Sequence, residues 1–89
     1  MVPATIAGKW RGGIEQIDGL VLRLASPNAF PPGQPLVIEF QHEGNDVRLE
    51  ARTIGSKRRD EAVFELRVRL INLRKDAREA LERACSVER

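Results

Sequence analysis

Proline and glycine punctuation around two alternating apolar runs constrains this chain more than any other feature. Gly19-Leu20-Val21-Leu22-Arg23-Leu24 sets a turn glycine before one run, and Pro32-Gly33-Gln34-Pro35-Leu36-Val37-Ile38-Glu39-Phe40 sets a Pro-Gly turn before the next. Proline fixes φ and glycine enters backbone regions that other residues avoid, so each run reads as a half-buried strand. Leu20, Leu22 and Leu24 share one face of the first strand; Leu36, Ile38 and Phe40 share one face of the second.

The same alternation extends in both directions. Thr5 to Arg11 reads as an opening strand with Ile6 and Trp10 inward, and Gly12-Gly13 as a two-residue turn leading into Ile14-Glu15-Gln16-Ile17. Ser26 to Gln34 holds three prolines, an asparagine and a glycine, and is expected to loop across one end of a barrel. Downstream, His42-Glu43-Gly44-Asn45 is a turn that places Phe40 opposite Val47, Ile38 opposite Leu49 and Glu39 opposite Arg48. Gly55-Ser56-Lys57-Arg58-Arg59-Asp60 reads as a loop before a strand with Phe64, Leu66, Val68 and Leu70 inward. Setting Ala51 opposite Leu66 pairs Glu50 with Arg67 and Arg52 with Glu65, at the expense of Arg48 facing Arg69. Opposite charges across strands contribute ~0.2–1 kcal/mol each, and here they agree with the apolar register.

Near Asn72 the period lengthens. Asn72 is expected to cap a helix by accepting bonds from its first free N–H groups. Leu73, Ala77, Ala80, Leu81 and Ala84 then recur at helical spacing, with Glu79 and Arg83 as an i,i+4 ion pair. Outward-pointing Val21, Val37 and Ile71 offer this helix a seat. The fold expected is mainly β: one domain over residues 1–89, with a small antiparallel barrel over about 4–71 and a C-terminal helix over about 73–85.

Composition limits what such a domain does. The chain has 89 residues, one tryptophan, three phenylalanines and no tyrosine, so aliphatic side chains must fill its core. Net charge is +2 from 15 basic and 13 acidic residues, a mixed surface with little pull on nucleic acid. A lone Cys85 excludes an internal disulfide and a CxxC metal pair, which fits a reducing cytosol. No apolar run reaches the ~20 residues that span a bilayer, and the first five residues lack the pattern of a secretion signal.

With these elements in place, the chain resembles a PilZ domain, a family of small barrels many of whose members bind cyclic di-GMP. The resemblance runs from about Gly12 to Cys85. It rests on Gly19-Leu20-Val21-Leu22-Arg23-Leu24, on the Pro32 to Ile38 turn and strand, and on Val68-Arg69-Leu70-Ile71-Asn72-Leu73 entering the helix. It implies the barrel-plus-helix fold and a role in bacterial motility, pilus or biofilm signalling. The family's receptors carry an RxxxR pair on an N-terminal arm and an Asp/Asn-x-Ser-x-x-Gly turn. Arginine forks match guanine O6 and N7 and the phosphates, while the turn meets the remaining polar edges. Here Gly19 keeps the motif glycine, but Ile14 stands at the acidic position and Gln16 at the serine position. No RxxxR precedes Gly19, where Lys9 and Arg11 are the only basic residues. Losing two or three charge-assisted bonds of roughly 1.5–3 kcal/mol each removes several powers of ten in affinity.

The resemblance therefore implies a non-enzymatic, cytoplasmic signalling adaptor that acts through a protein partner and holds cyclic di-GMP weakly or not at all. The alternative is a cyclic di-GMP receptor built on the non-standard residues Lys9, Arg11 and Arg23 beside Gly19. A third reading, a barrel for single-stranded nucleic acid, lacks the several aromatics that stack bases. The basic cluster Lys57-Arg58-Arg59 is a candidate contact for an acidic partner, and Trp10 beside Arg11 either plugs the barrel or offers a stacking surface. His42 has no second imidazole or thiol nearby. Ser26, Ser56 and Ser86 lie in no nucleophile context, and there is no phosphate-binding glycine loop. No catalytic residue, resident cofactor or metal site is expected.

Overall fold

A computed structural model describes residues 1–87. Six antiparallel strands form a closed barrel: β1 (Val2–Ile6), β2 (Trp10–Asp18), β3 (Val21–Ser26), β4 (Pro35–His42), β5 (Asn45–Arg58) and β6 (Phe64–Ile71). One helix follows, α1 (Lys75–Val87). Around the barrel the order is β1-β2-β3-β6-β5-β4, with β4 returning to β1. Mainly β, antiparallel and carrying a single C-terminal helix, the architecture is the one the alternation predicts. Inward residues at period two build the core: Ile6, Leu22, Leu24, Ile38, Leu66 and Val68 are fully buried.

Two tight turns behave as expected. Glu43 and Gly44 take positive φ (51° and 80°) between His42 and Asn45, fixing Phe40↔Val47, Ile38↔Leu49 and Glu39↔Arg48. Gly19 takes φ 62° in the β2–β3 turn, where Asp18 pairs with Val21. Leu20 belongs to that turn and is 38% exposed, so the inward row of β3 begins at Leu22.

The first hairpin differs from the expectation. Its turn is Ala7-Gly8-Lys9, with Ala7 and Gly8 both at positive φ, and Gly12-Gly13 lies inside β2 opposite Ala4 and Pro3. Close packing, not turning, is what Gly12 supplies. A Cβ there would overlap the Ala25 carbonyl oxygen and lie 2.8 Å from Ile6 Cδ1.

The β5–β6 register is shifted by four residues from the one the charges favour. Ala51 pairs with Leu70, Arg52 with Arg69 and Thr53 with Val68; the ladder then skips Ile54 and resumes at Gly55↔Arg67. Gly55 to Arg58 are strand, and the turn sits later, organised by Asp60, whose Oδ1 accepts from the Ala62 N–H (2.8 Å) and the Val63 N–H (3.0 Å). Both registers keep apolar side chains inward because they differ by an even number. Turn chemistry and the bulge decide between them, outweighing surface ion pairs worth a few tenths of a kcal/mol.

The two barrel ends are closed differently. The loop after β3 buries Phe30, whose N–H donates to Ser56 Oγ (3.0 Å) while that hydroxyl donates to the Phe30 carbonyl (2.8 Å). At the other end α1 packs on β2, β4 and β5, with Leu81 fully buried and Ala84 9% exposed in the same cluster as the barrel interior. The helix thus seats on the barrel end, not on an outer patch of Val21 and Val37. It also begins later than expected. Asn72 takes φ 50° and turns the chain, a conformation asparagine tolerates, and Arg74 supplies the carbonyl for the first helical bond, from the Arg78 N–H (2.9 Å). The i,i+4 pair that forms is Arg78–Glu82 (4.0 Å), not Glu79–Arg83.

Candidate functional site

The β2–β3 hairpin carries the turn that the resemblance singles out, and its side chains point in opposite directions. Ile14 is 1% exposed and faces the core opposite Leu24, so this position offers a ligand nothing. Gln16 is exposed and faces Arg23 across the strands. Between them the ladder skips Glu15, a bulge that leaves its carboxylate on the outer surface. Arg59, arriving from the β5–β6 turn, grips that carboxylate with both ends of its fork: Nη1 to Oε2 and Nη2 to Oε1, each 2.7 Å. Arg59 Nη2 also donates to Glu65 Oε1 (2.8 Å), and Arg23 Nε stands 3.6 Å from Glu15 Oε1.

Glu15 is therefore the centre of this cluster, and the sequence reading did not single it out. Its signal was present: Ile14 and Ile17 both pack inward yet lie three apart, an odd spacing that a strand accommodates only with a bulge. Hydrogen bonding from Arg59 holds the Glu15 carboxyl below its ordinary value of 4.5, against the partial burial that would raise it. The charges of Arg59, Arg23 and the Met1 amino group act in the same direction as the bonds. A depressed folded-state value adds stability above the ordinary one, lost as pH falls through the folded value. Glu15→Gln is accordingly expected to melt below wild type at pH 7, with the gap narrowing as pH falls below the ordinary 4.5 and through the lower folded value. Paired thermal melts across that range check it, and a gap that persists in acid would rule out the charge as its source.

The remaining site residues do not converge. Lys9 lies in the first turn, its ammonium 5.0 Å from the centre of the half-buried Trp10 ring. Arg11 faces outward opposite Thr5 and lines a groove of about 600 Å³ with Glu39, Gln41 and Asp46. From Arg11 to Gln16, the partner of Arg23, β2 runs five residues, roughly 15 Å. Lys9, Arg11 and Arg23 thus do not share one pocket. The cluster Lys57-Arg58-Arg59 is divided as well: Arg58 lies 5.0 Å over the Phe64 ring, Arg59 serves Glu15 and Glu65, and Lys57 stands opposite Glu65. What the fold joins is Arg23 and Arg59, through Glu15.

Beside this cluster lies a groove of about 300 Å³ lined by Gln16, Asp18, Val21, Arg23, Glu65 and Arg67. Its acidic and basic side chains are equal in number, counting Arg59 and Glu15 at its edge. His42 stands at the end of β4, its Nε2 3.9 Å from Glu43 Oε1, and Cys85 is half-buried against the core. Among the described residues no group of three or more His, Cys, Asp and Glu side chains is placed to hold a metal, and no helix is long and apolar enough to cross a membrane. Comparison with protein-family models, curated proteins and solved structures finds no match to the chain.

Proposed function

We propose that the chain is a non-enzymatic, PilZ-like interaction domain of bacterial cyclic di-GMP-linked signalling in motility, pilus or biofilm control. It works in the cytoplasm by presenting a rigid barrel surface to a protein partner, and it does not hold the dinucleotide tightly. The observation that carries the reading is the state of the β2–β3 turn. Its acidic position is a core isoleucine, and the two arginines that reach the neighbouring Glu15, Arg23 and Arg59, already face its carboxylate. A dianionic ligand arriving there meets a neutralised surface and would have to displace a bidentate carboxylate.

Calorimetric titration with cyclic di-GMP tests this. The expected result is no saturable heat at high ligand concentration. Micromolar binding that Arg11→Ala abolishes would instead establish a receptor built on non-standard basic residues, and the adaptor reading would fall.

A further inference from the structure

The outer face of β3, β6 and β5 carries a charge arrangement that folding alone does not favour. Arg23 stands opposite Arg67, and Arg69 opposite Arg52. Such partners have Cβ atoms ~4.5–5.5 Å apart, where like charges repel. All four side chains are exposed. Among the described residues Arg52, Arg67 and Arg69 make no ion pair, and Arg23 has only its 3.6 Å approach to Glu15. One donor of Arg52 reaches the Gly33 carbonyl (3.2 Å), which orients the group without neutralising it.

An apolar residue borders this basic patch. The β5 bulge sets Ile54 and Gly55 against Arg67, leaving Ile54 45% exposed beside a glycine whose missing side chain opens the space next to it. An exposed isoleucine flanked by Arg52 on its own strand and by Arg67 across the bulge has the composition of a protein-binding patch, in which an apolar anchor borders groups that pair with the partner. None of the four aromatic residues lies on this face, so unpaired bases would find nothing to stack on. These strands are also interior to a closed barrel, so a partner cannot add to a sheet edge and must be read through side chains. Arg67 and Arg69 are alternate residues of one strand, roughly 6.8 Å apart, which is the spacing of alternate side chains in any extended segment.

We propose that this face docks an extended acidic segment of a partner protein. Carboxylates at alternate positions meet Arg67 and Arg69, with Arg23 and Arg52 to either side, and an apolar side chain rests on Ile54. The proposal rests on the adaptor reading and names its surface.

The test uses the full chain and a fluorescein-labelled synthetic peptide of alternating glutamate and threonine with one central valine, followed by anisotropy. Binding is expected at low salt and is weakened by added salt, and the lysine-for-glutamate peptide is not bound. The double variant Arg67→Glu/Arg69→Glu should lose at least about tenfold in affinity, and Ile54→Ser several-fold. Arg69→Glu places a carboxylate opposite Arg52, so the double variant should fold, as far-UV dichroism will verify. Equal affinity of wild type and the double variant, or no binding of the acidic peptide, overturns the proposal. Tighter binding of oligothymidylate or of phosphatidylserine vesicles overturns it too, by reassigning the face to nucleic acid or membrane. Titrating cyclic di-GMP into the same samples separates the two readings. A silent dinucleotide with an unbound peptide rejects this surface alone, whereas a bound dinucleotide rejects the adaptor reading whatever the peptide does.

Discussion

Gly12→Ala is expected to destabilise the barrel by roughly 3 kcal/mol or more, while Gly13→Ala, one residue along the same strand, stays within about 1 kcal/mol of wild type. Neither glycine takes a positive φ, so backbone freedom does not distinguish them. Their surroundings do. The new methyl at Gly12 would overlap the Ala25 carbonyl oxygen of the neighbouring strand and crowd Ile6, which is fully buried. Relief requires β2 and β3 to separate, which costs ladder bonds on both sides. At Gly13 the methyl meets chiefly the thioether end of Met1, a residue 60% exposed that can swing away. For a domain of this size each kcal/mol moves the melting temperature by about 4–8 °C, so the two variants should melt at least about 8 °C apart. Equal melting temperatures would mean that strand contact at Gly12 is looser than the geometry states.

The same pair shows what was legible in the sequence and what was not. Two adjacent glycines carry a strong turn signal, yet a requirement for absent side chains inside a crowded strand leaves the same mark. Only the position of Ala25, thirteen residues on, tells the two apart. The β4–β5 register was legible because Glu43-Gly44 fixes a two-residue turn and leaves one pairing possible. The β5–β6 register was not, because Gly55-Ser56-Lys57 has the composition of a loop although Ser56 is held in strand by its bonds to Phe30. Inward and outward faces survived that error, since a shift of four preserves parity. The charge map did not. Expected Glu50–Arg67 and Arg52–Glu65 pairs become the opposed Arg52 and Arg69, while Arg67 is left facing Arg23. A largely paired wall thus becomes a basic patch. Glu65, freed from Arg52, joins Glu15 in holding Arg59. Four residues of register separate a surface with two opposite-charge pairs and one clash, Arg48 against Arg69, from one with two opposed arginine pairs.

Leu81→Ala should cost ~2–5 kcal/mol, the range for a buried leucine whose cavity cannot fully collapse. Its side chain is fully buried, in the cluster that includes Ile6, Leu22 and Leu49 of the barrel. A helix of 13 residues is marginal in water by itself, so α1 depends on this contact to exist. The barrel depends on it in turn, because the helix covers β2, β4 and β5, whose inward side chains would otherwise meet solvent there. Mutual dependence predicts one cooperative transition, observed identically by far-UV dichroism, which reads the helix, and by fluorescence of the single Trp10, which sits at the opposite barrel end. In urea the variant's midpoint should fall while the slope stays near the wild-type value, since the surface exposed on unfolding is nearly unchanged. If the helix were instead an appendage, dichroism would fall before fluorescence and Trp10 would report wild-type stability. A loss below about 1 kcal/mol with coincident transitions would place Leu81 in a site able to close over the missing atoms, and the barrel end would then be sealed by Ala77, Ala80 and Ala84 without it.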